Sequence, residues 1–400
     1  MKTFTKTNKS MLTFDFVEQS RRVAKIRVVG VGGAGGNAMN RMIEDQLVGV
    51  DFIALNTDLQ ALDQNLAPTQ IQIGKNLTRG LGSGGVPEVG RKAIEENRDA
   101  VFDALSESDM VFITCGMGGG TGTGAAPVVA EIAKDVGALT VGIVTTPFLF
   151  EGLKRMEKAE QGIQELKANV DTLIIVPNQK LISLVPRNTP IQQAFRVADE
   201  ILLNATRGIS DVINVPGLVN LDFADVKTVM ANMGEALMGS GTAGGDNRGK
   251  EAAEKAISSQ LIDDVSIMGA KGVLVNVSGG SDLALSDIHD ATSVICDAAG
   301  NDALIIFGAV IDPVLNGDVR VTVIATGFQR IGYKTRPRPA KVEKKATVEA
   351  VADMDGPADP QDWKQEPLVG LEEVFGVGAD MSFEGKNDLN IPTFLRRRMG

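Results

Sequence analysis

Hydrophobic and polar positions alternate with two different periods along the first half of the chain, and the pattern predicts strands separated by helices. Short β-branched or apolar runs predict five strands, at residues 25–30, 51–55, 111–114, 140–144 and 172–176. Segments with helical spacing lie between them, and a long amphipathic helix follows at about residues 191–212. Strands that alternate with helices form a parallel sheet covered on both faces, so we predict an α/β fold.

The pattern changes after Pro216 and Gly217. Helices are predicted at residues 224–233, 251–261 and 286–299, and strands at residues 272–277, 303–310 and 319–325. This part of the chain therefore predicts a second, smaller α/β domain.

Both ends of the chain differ in composition from its centre. Residues 1–24 are polar and patternless, and residues 331–386 are rich in proline, lysine and acidic residues, which is typical of disordered linkers. The compact apolar and basic cluster at residues 388–398 predicts a docking peptide. We therefore predict a flexible arm (1–24), a first domain (25–190), the central helix with the loop after it (191–222), a second domain (223–330), a linker (331–386) and a partner-binding tail (387–400).

The charge and hydropathy of the chain exclude some classes of function. A formal net charge of -11 argues against a nucleic-acid-binding protein, which needs a basic face. No apolar run is long enough for a membrane helix, so we expect a cytoplasmic protein that does not insert into the membrane. The two cysteines lie far apart and suggest neither a disulfide nor a zinc site.

The first glycine-rich loop, Gly30-Val-Gly-Gly-Ala-Gly-Gly-Asn37, directly follows a predicted strand and opens a helix. It fits the dinucleotide-binding pattern, in which glycines let backbone amides approach a phosphate at a helix N-terminus. Taken alone the signal is weak, because a tight turn would look the same. An NAD-type oxidoreductase is one interpretation that rests on this loop.

The second loop, Gly116-Met-Gly-Gly-Gly-Thr-Gly-Thr-Gly124, also follows a strand and precedes a helix, with Pro127 expected in the first turn of that helix. A dehydrogenase has no use for a second phosphate-binding loop. The nearest match to a lysine-containing phosphate loop, at residues 244–251, fails at its last position and follows no strand. The triphosphate would therefore be held by amides, threonine hydroxyls and Mg²⁺, although we assign no metal ligands.

Several motifs resemble the FtsZ family of the tubulin superfamily. Its signature is matched by Gly118-Gly-Gly-Thr-Gly-Thr-Gly124, and further matches are Asn56-Thr-Asp58, Leu77-Thr-Arg-Gly-Leu-Gly82, residues 216–225 and the terminal peptide Ile391-Pro-Thr-Phe-Leu-Arg-Arg397. The resemblance covers about residues 25–328 and the tail. It implies a bacterial GTPase that assembles head to tail into filaments, forms the division ring at midcell, and carries a tail at residues 388–398 for regulatory and membrane-tethering proteins of the FtsA type.

The resemblance also implies which residues bind GTP and GDP. The contacts of the first loop would be Gly33, Ala34, Gly35, Gly36 and Asn37, and those of the second would be Gly118, Gly119, Gly120, Thr121 and Gly122. Glu151 and Arg155 would lie at the ribose and phosphates, and Asn178, Phe195 and Asp199 would surround the guanine. Without the resemblance, Glu151 and Arg155 would be an ordinary surface ion pair. Likewise, Asn178 would be a turn residue, Phe195 a core residue and Asp199 a solvated helix carboxylate.

The implied catalytic residues are Asn220, Asp222 and Asp225, on a loop that would enter the nucleotide site of the next subunit. The same aspartates at the start of a helix also fit an N-cap and a first-turn acid. A scaffold that binds but does not hydrolyse GTP is a third interpretation. The sequence departs from the family pattern at Cys115 and at Gly84-Gly-Val86, in a loop that the resemblance implies is sensitive to the γ-phosphate.

Overall fold

The computed structural model describes residues 24–186, 188–215, 217–219, 221–259 and 267–328. Nearly all of the predicted arm, together with the predicted linker, the tail peptide and the catalytic candidate Asn220, lies outside the described residues.

One continuous sheet runs through the described part of the chain, in the order β3-β2-β1-β4-β5-β6-β7-β10-β8-β9. Neighbouring strands from β3 to β6 are parallel, which confirms the predicted parallel sheet. Beyond β6 the sheet is mixed, because β10 runs antiparallel to both β7 and β8. The strands are β1 (Ile26–Val31), β2 (Val50–Asn56), β3 (Thr69–Gln72), β4 (Met110–Gly116), β5 (Leu139–Thr146), β6 (Thr172–Pro177), β7 (Gly234–Gly244), β8 (Gly272–Gly279), β9 (Leu304–Ile311) and β10 (Asp318–Thr326).

Helices cover both faces of this sheet and enclose three hydrophobic clusters. The helices are α1 (Gly32–Glu44), α2 (Leu59–Asp63), α3 (Lys75–Thr78), α4 (Pro87–Glu95), α5 (Arg98–Leu105), α6 (Thr121–Asp135), α7 (Leu153–Asn169), α8 (Asn178–Leu181), α9 (Ile191–Asn214), α10 (Phe223–Met230), α11 (Arg248–Ile257) and α12 (Leu285–Ala299). One cluster joins α1, α9 and α10 to one face, a second joins α4 to α7 to the other face, and a third lies under α11 and α12.

The long helix α9 connects the two halves of the sheet. Its buried residues include Leu202, Leu203 and Ile209, which belong to the same cluster as Leu274 of β8 and Ile324 of β10. Within the described ranges, no helix is long and apolar enough to cross a membrane.

Two elements differ from the sequence prediction at glycine-rich segments. The pattern did not predict β7, whose sequence contains four glycines, yet β7 pairs with β6 on one side and β10 on the other. Glycine is needed there, because a Cβ on Gly241 would lie 2.7 Å from the backbone nitrogen of Ala256 in α11. Pro127 is also not in the first turn of its helix, since α6 already begins at Thr121 within the glycine loop.

Candidate functional site

The strand order brings the two glycine loops together. β1 lies between β2 and β4, so the loops that follow β1 and β4 leave the sheet side by side at its carboxyl edge. Helix α1 then packs on one face of the sheet and α6 on the other. Such a switch point opens a crevice at the carboxyl ends of the strands, which is where open α/β sheets bind ligands.

The first loop lies directly against the second. Gly32 has a left-handed φ of +73°, and a Cβ there would lie 3.0 Å from the backbone nitrogen of Gly122. Gly35 is pressed against the carbonyl oxygen of Thr114 in β4, which leaves no space for a side chain. The exposed Ala34 lies at the same junction, because a Cβ on Gly116 would come within 2.7 Å of its Cβ. Gly33, Gly36 and Asn37 complete the first turns of α1 and are partly buried.

The second loop keeps the geometry of a backbone cradle. Gly118 has a φ of +91° and donates its amide to the Thr123 hydroxyl at 2.9 Å. Gly120 and Gly122 are buried, whereas Gly119 is partly exposed and has open space where a Cβ would stand. The loop can therefore offer backbone amides to a ligand at close range.

The electrostatics of both helix N-termini favour an anion. Neither α1 nor α6 has a side-chain N-cap or an acidic residue in its first turn. The first amides of a helix have no partner within the helix, and the helix dipole adds partial positive charge at the same end. Two such ends at one crevice are suited to a chain of phosphates.

The Thr121 hydroxyl at the start of α6 is shared with two side chains that the sequence analysis did not select. Its Oγ1 lies 2.6 Å from Thr57 Oγ1 and 3.0 Å from Ser83 Oγ. Thr57 directly follows β2, and Ser83 stands among glycines before α4. The sequence signal that could have identified Thr57 is its place just after a strand, and that for Ser83 is its place in a further glycine-rich stretch, at residues 80–85.

Glu151 and Arg155 form a partly buried ion pair, which corrects the interpretation as an ordinary surface pair. Arg155 Nε lies 2.9 Å from Glu151 Oε2, and the Glu151 side chain is only 3% exposed. Burial raises the pKa of Glu151, opposed by the Arg155 charge and by the amide of Phe148. Burial likewise lowers the pKa of Arg155, opposed by Glu151. The α7 backbone at Arg155 also touches the second loop, since a Cβ on Gly118 would lie 2.6 Å from its carbonyl oxygen.

Three residues form the far end of the site, one directly after β6 and two on α9. Asn178 directly follows β6, and its buried Oδ1 has no hydrogen-bond partner within the described part of the chain. An unsatisfied buried acceptor is costly, so this atom is suited to a ligand donor. The ring of Phe195 packs edge-on against Phe148 at 5.4 Å.

Asp199 is the third of these residues and is not a freely solvated carboxylate. Part of its surface is accessible, but protein surrounds it on most sides, as expected for a group that lines an open cleft. Burial raises its pKa to about 8, although the positive charges of Arg41 and Arg196 act in the opposite direction. A carboxylate in such surroundings gains strongly from donors that a ligand brings.

The candidate nucleotide residues thus lie along the carboxyl edge in the order of the strands. From β2 to β6, the edge presents Thr57, the first loop, the second loop, Glu151 and Asn178. Four strand spacings amount to about 19 Å. This row is suited to an extended ligand with a base at the β6 end and phosphates at the centre.

The candidate catalytic aspartates lie elsewhere. Asp222 caps α10 by accepting the Ala224 amide at 3.5 Å, Asp225 lies in the first turn of α10, and both are exposed. Their loop is tied to the other end of α9, because the Leu221 amide donates to the Val212 carbonyl. Asp199 and Val212 are separated by about 20 Å along the helix axis. Within one chain, the aspartates and the base end of the site are therefore apart.

The described residues contain no group of three or more His, Cys, Asp or Glu that could hold a metal ion. Mg²⁺ commonly takes most of its ligands from phosphates and water. Hydroxyl oxygen is a ligand of the kind that Mg²⁺ accepts, so the Thr121 hydroxyl fits such an ion.

Two family models match the chain. The GTPase domain of the Tubulin/FtsZ family matches residues 25–186, and the C-terminal domain of the FtsZ family matches residues 234–329. The chain is similar to an empty FtsZ dimer of M. jannaschii, with 49% identity, 76% of this chain and 88% of that chain covered, and a TM-score of 0.73. It shares the fold of GDP-bound monomeric CetZ1 from Haloferax volcanii, with 22% identity, 77% of this chain and 95% of that chain covered, and a TM-score of 0.67.

These matches exclude the oxidoreductase interpretation, which rested on the first glycine loop alone. They agree with the site, where two loops and two helix N-termini form one phosphate-binding crevice. The chain therefore belongs to the tubulin/FtsZ family, in its FtsZ branch, and is a guanine-nucleotide-binding GTPase of the polymerising cytoskeletal type.

Proposed function

We propose that the chain assembles head to tail into filaments and hydrolyses GTP at the contact between subunits. The observation that carries this proposal is the separation of Asp222 and Asp225 from the base end of the nucleotide site, about 20 Å along α9. Both aspartates are exposed and can reach a second copy. A related M. jannaschii FtsZ was solved as a dimer, and CetZ2 of Haloferax volcanii as a protofilament, which supports assembly.

Within one subunit, the row of residues would orient the nucleotide. Asp199 and Asn178 would accept hydrogen bonds from the guanine, and Phe195 would pack beside it. Glu151 and Arg155 would hold the ribose and inner phosphates, and the amides of residues 33–37 and 118–122 would hold the phosphate chain. Mg²⁺ bound to the outer phosphates would neutralise part of their charge. In the proposed division of the chain, the two glycine loops, Glu151, Arg155 and Asn178 would belong to the first domain (25–190), and Phe195 and Asp199 to the central helix (191–222).

In the filament, the loop of residues 220–225 from the next subunit would complete the site. A carboxylate of Asp222 or Asp225 near the γ-phosphate would accept a hydrogen bond from the attacking water and orient it, with Asn220 beside it. Phosphoryl transfer depends mainly on positioning and charge stabilisation, so one oriented water is a sufficient contribution from the protein.

We further propose that the filament forms the cytoplasmic division ring at midcell and that residues 388–398 bind a membrane tether of the FtsA type. The apolar and basic composition of this segment supports a docking peptide that becomes ordered in a groove.

Assembly is tested by light scattering in Mg²⁺ buffer with GTP, GDP or ATP. The signal should rise with GTP alone and decay as GTP is consumed. Equal assembly with ATP, or no assembly with GTP at micromolar protein, would refute the filament proposal.

The shared site is tested by mixing two variants. Asp222→Ala should bind GTP but hydrolyse it about 10²- to 10⁴-fold more slowly, the range for loss of a positioned acid–base group. Thr121→Ala should weaken nucleotide binding in its own subunit. A contact that joins the intact Asp222 loop of one variant to the intact Thr121 of the other restores one complete site. Activity of the mixture above the sum of the separate variants supports the proposal, whereas strict additivity in demonstrated copolymers would refute it.

A further inference from the structure

The loop at residues 82–86, between α3 and α4, is rich in glycine and contains one internal backbone hydrogen bond, from the Val86 amide to the Ser83 carbonyl at 3.2 Å. Gly82, Gly84 and Gly85 all have left-handed φ values, of +79°, +63° and +75°. Around Gly84 and Gly85 there is nothing within 4 Å of where a Cβ would stand. Glycine adopts many backbone conformations when unfixed, so the position of this loop depends on contacts made from outside it.

Two side-chain hydrogen bonds supply such contacts. Ser83 Oγ lies 3.0 Å from Thr121 Oγ1, at the start of α6. Lys158 of α7 donates its ammonium group to the Gly85 carbonyl oxygen at 2.6 Å. Both bonds are partly buried, and the ammonium makes the second a charge-assisted bond.

These contacts hold the 82–86 loop closely against the second glycine loop. A Cβ on Gly120 would lie 2.8 Å from the Val86 amide nitrogen, and the Gly82 amide donates to the Thr57 carbonyl at 3.2 Å. Thr57 directly follows β2, so the 82–86 loop meets the site on the β2 side.

The strand order then decides which part of a nucleotide the loop would meet. In the sheet, β2 is the next strand beyond β1. If the base lies at the β6 end and the phosphates over β4 and β1, as proposed above, the outermost phosphate would lie on the β2 side. The 82–86 loop would then face this phosphate, which GTP has and GDP lacks.

We propose that Ser83 and Lys158 are positioning residues that hold the 82–86 loop in place before GTP binds and thereby set the preference for GTP over GDP. This inference rests on the proposed position of the nucleotide. A loop that is already held loses less conformational freedom on binding, so its contacts with the γ-phosphate contribute more to affinity. GDP does not reach the loop, so holding the loop in place does not change the affinity for GDP.

The experiment compares Ser83→Ala, Lys158→Met and Lys158→Arg with the unmodified chain. Lys154→Met is the matched control, because Lys154 is an exposed lysine of the same helix and lacks the bond to Gly85. Two quantities are measured below the concentration for assembly. The first is amide hydrogen exchange of residues 79–90 without nucleotide, and the second is the affinity for GDP and for a nonhydrolysable GTP analogue, by competition with a fluorescent GDP.

Ser83→Ala and Lys158→Met should each speed exchange at the Gly82 and Val86 amides. Each should weaken binding of the GTP analogue about three- to tenfold, the effect of losing one hydrogen bond of this type, and change GDP affinity less than about twofold. Lys158→Arg should restore both the exchange rate and the affinity for the GTP analogue. Lys154→Met should match the unmodified chain in both.

Unchanged exchange in both variants would overturn the inference, even if GTP binding weakened, because Lys158 would then act as a direct phosphate ligand. Equal losses for GDP and the analogue would also overturn it. Failure of the unmodified chain to bind either nucleotide would instead refute the proposed function, and the inference with it.

Discussion

The raised pKa of Asp199 predicts that guanine nucleotide binding depends on pH. Burial raises this pKa to about 8 in the absence of nucleotide, so most Asp199 side chains are protonated at pH 7. The proposed contact requires the carboxylate, which accepts two hydrogen bonds from the guanine. Binding should therefore release a proton, and affinity should rise with pH and level off above the pKa of the free carboxyl, which is about 8.

The magnitude follows from the ionised fraction. With a pKa of about 8, roughly 3% of the Asp199 side chains are ionised at pH 6.5 and roughly 76% at pH 8.5. Apparent affinity scales with the competent fraction, so GDP should bind about 25-fold more tightly at pH 8.5 than at pH 6.5. Arg41 and Arg196 oppose the shift, so replacing either with Met should raise the pKa of Asp199 and move the profile to higher pH.

The assay is fluorescence anisotropy of a labelled GDP at constant ionic strength, since GDP is not expected to drive assembly. Asp199→Asn is the control, because its amide has the same shape and does not titrate. It should bind GDP more weakly, and its residual pH dependence should report only the titration of the nucleotide. If the GDP affinities of the unmodified chain and of Asp199→Asn change in parallel between pH 6.5 and 8.5, the proposed hydrogen bonds between the Asp199 carboxylate and the guanine are refuted.

Three further predictions concern packing and the tail. Gly35→Ala should lower stability by about 1–3 kcal/mol and weaken GDP binding, because the new Cβ meets the Thr114 carbonyl; an unchanged melting temperature would contradict this. Arg248→Met should lower the free energy of unfolding by about 2–3 kcal/mol at pH 7, because the buried Asp287 loses its ion pair. An unchanged midpoint of chemical denaturation would contradict this prediction. Deleting residues 388–400 should leave GTP hydrolysis and assembly nearly intact and abolish capture by a membrane tether, so a truncated chain that cannot assemble would place the tail in the filament.

The glycine loops were readable from the sequence because their requirement is local. A strand that ends in glycines and continues as a helix appears in the order of the residues, and β1 with α1 and β4 with α6 follow that order. The close approach of Gly35 to Thr114 explains why no other residue type suits the position. The aspartate at the start of α10 was equally local, and its capping bond is present.

The same local reasoning failed where packing decides the conformation. β7 has the composition of a loop, but two neighbouring strands and α11 hold it as a central strand. Glu151 and Arg155 have the spacing of any surface ion pair along a helix. Only the packing of α7 and of the turn before it makes Glu151 a buried group with a raised pKa.

The sequence by itself therefore determined the alternation of strands and helices, the two phosphate loops and the family resemblance, since each depends on residues a few positions apart. The tertiary structure decided which residues meet across the sheet edge. Ser83 and Thr121 are 38 residues apart in the sequence, and Lys158 and Gly85 are 73 apart. Contacts of that range leave no periodic signal, because they depend on the order in which strands pair and on the face to which each helix returns.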